Sequence, residues 1–199
     1  MKLIFLLTLI NLLGFGQIKY TNIVDQGIYK SYIDTINKTT IAVTYTLYKG
    51  GGEASRAKDY FKYDVQYKTQ NASDYYRSGY DKGHMANAED FAFSDSLEEL
   101  TFRYYNCVPQ TPELNRGIWK HYETQTRTLS QSDTIIVVCY NEFLGKLQGR
   151  LQIPFTCYKA VYNFSDKKLL FVIGLTNSAQ PKEVMISPEV LENIKKLIP

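Results

Sequence analysis

Four stretches rich in β-branched and aromatic residues predict the main strands of the protein. They lie at residues 41–48 (IAVTYTLY), 134–140, 158–164 and 169–175 (LLFVIGL). Such side chains pack well on a pleated sheet, and the three glycines at residues 50–52 end the first strand in a loop. Because the fourth stretch is apolar almost throughout, we expect it to lie in the centre of the sheet.

Two helices are predicted between and after these strands. The first covers about residues 114–129, and the second begins after Ser187 and runs to about residue 197. Ser187 is a favourable helix cap, Pro188 suits the first helical position, and Glu189 places an acid in the first turn. Strands interspersed with helices, without a repeat or a Pro/Ser-rich linker, predict one mixed α+β domain.

The N-terminal residues follow the order of a secretory signal. Lys2 precedes an apolar run at residues 3–13, and small residues follow up to Gly16. The run is well short of the ~20 residues that a helix needs to cross a bilayer; a buried or amphipathic first helix is the alternative. We therefore expect residues 1–16 to be a signal peptide and residues 17–199 to form one domain. The mature protein is expected to be secreted or periplasmic, with no membrane span.

Charge and cysteine content narrow the choice of function only slightly. The formal net charge is +3, from 23 basic and 20 acidic residues, so a polyanion would have to bind a local basic cluster. Cys107, Cys139 and Cys157 are an odd number, which leaves at least one thiol unpaired or paired between chains, while a Cys139–Cys157 bridge stays open. With two histidines and no C-x-x-C spacing, a zinc site of several His or Cys ligands is disfavoured.

The candidate chemistry begins at the tetrapeptide Asp81-Lys82-Gly83-His84, between the first two predicted strands. A glycine lets the backbone approach a ligand closely, and a lysine can face a phosphate. An imidazole titrates close enough to neutral pH to accept a proton from water. Taken alone, these four residues fit a surface turn with an incidental histidine equally well, so the downstream residues decide the interpretation.

Those downstream residues form two further motifs. Asn106 opens the segment N-C-V-P-Q, and the predicted helix carries Asn115, Trp119, Glu123 and Arg127. In order and spacing, the three motifs resemble the DNA/RNA non-specific endonucleases of the ββα-metal superfamily, whose pattern is D-R-G-H, N-x-x-P-Q, and N-x-x-x-W followed four residues later by glutamate. The resemblance covers about residues 45–175. Lys82 stands where many members carry arginine, which keeps the charge but loses the planar fork that grips a phosphate.

The resemblance implies a ββα-metal nuclease fold, with a central, mainly antiparallel sheet flanked by helices. It also implies hydrolysis of DNA and RNA with little sequence specificity, leaving 5′-phosphate products. His84 would be the general base, and Asn115 the one protein ligand of Mg²⁺ (or Mn²⁺), whose other positions hold water and phosphate oxygens. On a regular helix Glu123 lies ~80° and ~12 Å from Asn115, so we expect it to reach a water on the ion, with Asn115 in an irregular first turn.

The remaining site residues are also assigned by the resemblance. Lys82, Arg127 and Arg56 would stabilise charge on the phosphate, although Arg56 fits a solvated loop cation equally well. Asn106 would orient the His84 ring or position the metal-site loop; a buried asparagine bonded to backbone is compatible with both.

Other interpretations apply to three residues of the predicted helix. Glu123 fits an exposed acid paired with Arg127 when the motif is set aside. His121 points away from Asn115 on a helix, so we assign it no catalytic role, and Trp119 is expected to anchor the helix in the core.

Two alternatives to a nuclease remain at this stage. One is a catalytically silent nuclease-like module that binds nucleic acid or protein, and the other is a phosphodiesterase of smaller substrates. Retention of the base, the metal ligand and the acid together favours an enzyme that has DNA and RNA as substrates. The motifs do not fix the oligomeric state.

Overall fold

The structure, a computed structural model, describes residues 18–55 and 60–199. The predicted signal peptide and Arg56 lie outside these residues, so both stay predictions. The strands and α-helices of the described residues are β1 (Asn22–Asp25), β2 (Lys30–Asp34), β3 (Thr39–Leu47), α1 (Ala72–Tyr75), β4 (Asp81–His84), α2 (Asp95–Thr101), β5 (Cys107–Gln110), α3 (Lys120–Ser130), β6 (Ile135–Glu142), β7 (Leu147–Gln148), β8 (Leu151–Gln152), β9 (Thr156–Asn163), β10 (Leu169–Thr176) and α4 (Pro188–Lys195).

A six-stranded antiparallel sheet in the order β1-β2-β3-β6-β9-β10 forms the centre of the molecule. The four predicted strands correspond to β3, β6, β9 and β10, with ends that differ by at most two residues. The predicted C-terminal helix is α4, and its cap is as expected, since the Ser187 hydroxyl accepts a hydrogen bond from Val190 N at 3.2 Å. The expected α+β fold with a mainly antiparallel sheet is confirmed.

The position of β10 differs from the expectation, because it is an edge strand of the sheet and not a central one. The returning chain shields its outer edge. Val184 N donates to Gly174 O at 2.9 Å, and Thr176 N donates to Lys182 O at 2.9 Å. An apolar strand can therefore lie at the edge when a following segment satisfies and covers its free backbone groups.

Both faces of the central sheet are buried at its middle strands, β3, β6 and β9. Alternate residues of β6 and β9 point to opposite sides. One set packs with Leu114 and Trp119 on the α3 side, and the other packs with Val190 and Ile194 of α4. Lys159 of β9 is fully buried although it is charged. The protein thus has three layers, and α3 lies on the opposite side of the sheet from α4.

The β4–β5 pair lies over the α3 side and forms a ββα unit with that helix. Gly83 of β4 faces the side chain of Gln110 on β5, and a Cβ at position 83 would lie 2.1 Å from Gln110 Oε1. At Gly83, therefore, the group that approaches the backbone closely is the Gln110 side chain. All three cysteines are buried free thiols, so the Cys139–Cys157 bridge is not formed. Among the described helices, none has the length and apolar character to cross a bilayer.

Candidate active site

A cleft of about 410 Å³ lies beside α3 and contains most of the predicted site. Its lining residues are His84, Asn87, Glu89, Asn115, Arg116, Lys120, Glu123 and Arg127. The predicted base, metal ligand, acid and one predicted arginine are therefore brought together, although they come from a strand, an irregular turn and a helix. Every lining side chain is polar or charged, which suits a charged substrate.

His84 ends β4 and is held by aromatic rings. The ring centroids of Phe61 and Phe102 each lie 4.8 Å from that of the imidazole, at interplanar angles of 44° and 84°. Contacts of this kind restrict rotation of the ring. The fixed ring keeps its nitrogens in a constant position relative to the cleft.

Asn106 is fully buried and fixes the chain that follows His84. Its Oδ1 accepts from Ala86 N at 2.9 Å, and its Nδ2 donates to the carbonyl oxygens of Ala86 and Thr101, each at 2.9 Å. Met85 N also donates to Asn106 O at 2.9 Å. Of the two roles expected for Asn106, these contacts support the positioning of the loop.

Asn115 lies in a wide turn, Leu114–Trp119, before the regular part of the helix. Gly117 has φ −101° and ψ −113°, which is not helical, and α3 begins at Lys120. The irregular first turn expected for Asn115 is therefore present. It removes the fixed offset that a regular helix would impose between Asn115 and Glu123.

Asp81 orients the amide of Asn115, a role that the sequence did not reveal. Asn115 Nδ2 donates to Asp81 Oδ2 at 3.0 Å, and the Arg116 guanidinium donates to both carboxylate oxygens at 2.8 and 2.7 Å. Burial raises the pKa of Asp81, but the hydrogen bonds from Arg116 and Asn115 outweigh it and lower the pKa. An ionised carboxylate only accepts hydrogen bonds, so the amide nitrogen faces Asp81 and Oδ1 stays available as a ligand.

The donor atoms in the cleft suit a hard cation that keeps much of its water. Asn115 Oδ1 and the carboxylates of Glu89 and Glu123 are oxygen donors in the same cleft. Within residues 18–55 and 60–199, no group of three or more His, Cys, Asp or Glu residues is arranged to hold a metal. Few protein ligands and oxygen chemistry fit Mg²⁺ or Mn²⁺, which bind through one or two protein groups plus water and phosphate.

Glu123 is buried, so the interpretation as an exposed helix acid paired with Arg127 is wrong. Its side chain lies near a second buried carboxylate, Asp90, in the 3₁₀ turn Ala88–Phe91. Arg127 donates to Asp90 Oδ1 at 3.1 Å and to Asn87 Oδ1 at 3.3 Å. Burial raises the pKa of Glu123, and nearby Lys159 and a hydrogen bond from Asn87 oppose that increase.

Lys82 and His121 do not line the cleft. Lys82 Nζ lies 5.7 Å from the ring centroid of Phe61 and 5.6 Å from that of Tyr75. Since Phe61 also contacts His84, Lys82 adjoins the base through a shared ring. His121 is exposed, and its ring contacts Tyr122, as expected for a residue outside the site. Trp119 is fully buried in the core, which confirms its predicted role as an anchor.

The chain is similar to several known proteins. A family model described as DNA/RNA non-specific endonuclease matches residues 14–190. Human mitochondrial endonuclease G is 33% identical over 91 residues, which are 44% of this chain and 31% of that protein. The nuclease of Nostoc sp. is 38% identical over 90 residues, which are 44% and 33% of the two chains. Mouse mitochondrial nuclease EXOG is 35% identical over 138 residues, which are 67% and 34%.

These alignments span about a third of the length of the curated relatives. A chain in the crystal structure of the EndoG/EndoGI complex has the same fold, with a TM-score of 0.72 and 22% identity, and the match covers 92% of this chain and 86% of that one.

Proposed function

The chain belongs to the DNA/RNA non-specific endonuclease family, and from this premise we propose that it is a metal-dependent endonuclease that cleaves DNA and RNA with little sequence specificity. The observation that carries the proposal is the single cleft containing His84, Asn115, Glu123 and Arg127. These side chains supply a base, an oxygen ligand, an acid and a phosphate-binding cation, which are the groups that phosphodiester hydrolysis needs.

In the proposed mechanism, His84 accepts the proton of the water that attacks phosphorus. Phe61 and Phe102 hold the imidazole in place for that transfer. The bond between phosphorus and the 3′ oxygen then breaks, the 3′ oxygen takes a proton from solvent water to become a hydroxyl, and the 5′-phosphate stays on the other fragment. Arg127 lines the cleft and stabilises the developing negative charge on the phosphate, and the same role for Lys82 and Arg56 stays a prediction from the family resemblance.

Asn115 would hold Mg²⁺ or Mn²⁺ through Oδ1, since Asp81 holds the amide nitrogen. When bound, the ion supplies positive charge that stabilises the phosphate and the departing 3′ oxygen. Glu123 accepts a hydrogen bond from water in the cleft and so fixes the position of solvent near Asn115.

Weak sequence preference follows from the chemistry of the lining residues. Their charged groups suit phosphates, which every nucleotide carries, so binding is expected to fall as salt rises. The charge and apolar order of residues 1–16 supports a further proposal, that the protein is exported to the periplasm or the medium.

The two histidines provide a matched test of this function. We expect wild type to cleave plasmid, single-stranded DNA and RNA with Mg²⁺ and not with EDTA. His84→Ala should reduce cleavage by at least about 10²-fold, whereas His121→Ala should cleave as wild type does, because His121 is exposed outside the cleft.

Four results would reject parts of the proposal. Cleavage in EDTA would reject the metal dependence, and full activity of His84→Ala would reject His84 as the general base. Tight nucleic-acid binding without cleavage by wild type indicates a silent module instead. Faster turnover of a nucleotide ester than of duplex DNA indicates a phosphodiesterase of smaller substrates.

A further inference from the structure

Lys159 is a buried cation in the middle of the central sheet. It lies on β9 opposite Cys139 of β6, and its exposed fraction is 0%. Its Nζ lies 4.7 Å from the ring centroid of Trp119 and beside the Cys139 thiol. Since an ammonium group is costly to bury without a counter-charge, nearby anions must stabilise it.

The counter-charges of Lys159 are the two carboxylates behind the cleft. Burial lowers the pKa of Lys159, but the Cys139 thiol and the carboxylates of Glu123 and Asp90 outweigh it, so the pKa is raised. Among these groups, Glu123 and Asp90 are the carboxyls, and their negative charge favours the charged form of Lys159.

The charges beneath the cleft balance only when Lys159 is counted. Glu123 and Asp90 are both at least nine-tenths buried. Arg127 donates to Asp90, yet it also lines the cleft, and its side chain is 16% exposed. Lys159 and Arg127 both oppose the effect of burial on the two carboxyls, so without Lys159 that role would fall to Arg127.

We propose that Lys159 is a positioning residue, a buried cation that balances Glu123 and Asp90 from beneath the cleft and leaves Arg127 available to the substrate. The first part of the proposal concerns the folded protein alone. The second part rests on the proposed nuclease function. The two parts are therefore tested separately.

Several groups act on Glu123, and all of them belong to the same buried cluster. The titratable and hydrogen-bonding groups that act on it from α3, the 3₁₀ turn and the sheet are Arg127, Asn87, Asp90, Tyr45, Cys139 and Lys159. Of these, Lys159 opposes the effect of burial on Glu123 most strongly. Removing it should affect Glu123 more than removing any other neighbour.

The first test uses the metal-free protein and needs no activity. Thermal unfolding between pH 5 and pH 8 is compared for wild type, Lys159→Met, Glu123→Gln and the double variant. We expect Lys159→Met to lower the Tm by about 5–10 °C at pH 8 and by less at pH 5, where the carboxyl groups gain protons. Glu123→Gln should recover much of that loss in the Lys159→Met background.

A packing role for Lys159 would give different results. Equal Tm losses at pH 5 and pH 8, with additive effects of the two substitutions, would overturn the proposal. Should Lys159→Met be recovered unfolded, the double variant decides: a folded double variant supports the charge balance, and an unfolded one rejects it. Lys159→Arg keeps the charge and should retain the wild-type dependence of Tm on pH.

The second test measures the pH dependence of plasmid cleavage at saturating Mg²⁺. We expect Lys159→Met to lower kcat by about 10- to 100-fold and to displace the acid limb to higher pH by about one unit or more. Lys159→Arg should restore the limb, and Lys168→Met, on an exposed lysine away from the cleft, should match wild type.

The second test also has outcomes that reject the proposal. A uniform loss of rate with an unchanged acid limb contradicts the role of Lys159 in charge balance. If wild type does not cleave, the proposed function fails, and the thermal experiment still decides the first part.

Discussion

The most specific prediction concerns Asp81, which holds the amide of Asn115. Asp81→Ala removes two contacts with Arg116 and one with Asn115 Nδ2. The Arg116 side chain is 71% exposed, so that ion pair contributes only ~0–1 kcal/mol. The contact with Asn115 is partly buried and charge-assisted, and such hydrogen bonds contribute ~1.5–3 kcal/mol.

These magnitudes give one expectation for magnesium affinity and another for the free energy of unfolding. If the contact that orients Asn115 contributes its full free energy to metal binding, its loss lowers magnesium affinity by about 10- to 100-fold, because 1.4 kcal/mol corresponds to tenfold. The free energy of unfolding should fall by about 1.5–4 kcal/mol, which is the two contributions together. The rate at saturating Mg²⁺ should recover most of the wild-type value, since His84 and Arg127 are untouched.

The assay is a magnesium titration of plasmid cleavage, combined with urea unfolding of the metal-free protein. Asp25→Ala is the matched control: Asp25 also has a lowered pKa, because it accepts from Gly27 N at 2.9 Å and pairs with Lys30 at 3.4 Å, but it lies on β1. It should leave the magnesium dependence unchanged. If Asp81→Ala also leaves it unchanged, Asp81 does not orient the ligand and the reasoning is refuted.

Three further predictions follow from the same structure. Burial raises the pKa of both Cys107 and Cys157 to about 12, so thiol reagents at pH 8 should modify the cysteines only after denaturation; rapid reaction of a native thiol would contradict this. The pKa of Asp81 is lowered in the folded state, so its stabilising effect is present above its ordinary value of 3.8 and is lost as pH falls through the folded value. Asp81→Ala should therefore cost less stability at pH 2 than at pH 7 in urea titrations, and an equal cost at both would argue against an ionised acceptor. Arg127→Ala should lower kcat by about 10²-fold with a smaller change in KM, and an unchanged kcat in steady-state assays would exclude Arg127 from the reaction.

Periodicity predicted the elements that local pattern specifies and missed those that tertiary pairing creates. The strands β3, β6, β9 and β10 are long, apolar and β-branched, so their existence is visible in the sequence. By contrast, β4 and β5 have the sequences DKGH and CVPQ, which show no clear alternation. They pair because each backbone supplies the other's hydrogen bonds.

The motifs predicted only part of the site. The spaced motifs identified His84, Asn115, Glu123 and Arg127, which the structure brings into one cleft. Asp90 comes from a 3₁₀ turn that matches no motif. Lys159 did leave a signal, because it occupies the position between Cys157 and Val161 that alternation assigns to the buried face, where a charge requires a partner.

The contact between Gly83 and Gln110 couples sequence changes in two separate motifs. Since the glutamine side chain occupies the space of a Cβ at position 83, a chain that keeps glutamine at 110 cannot gain a side chain at 83 without displacing it. Position 83 can gain a side chain only after Gln110 has been replaced by a smaller residue, and the intermediate with both side chains is disfavoured. In related sequences the two positions should therefore vary together, although 26 residues separate them in this chain.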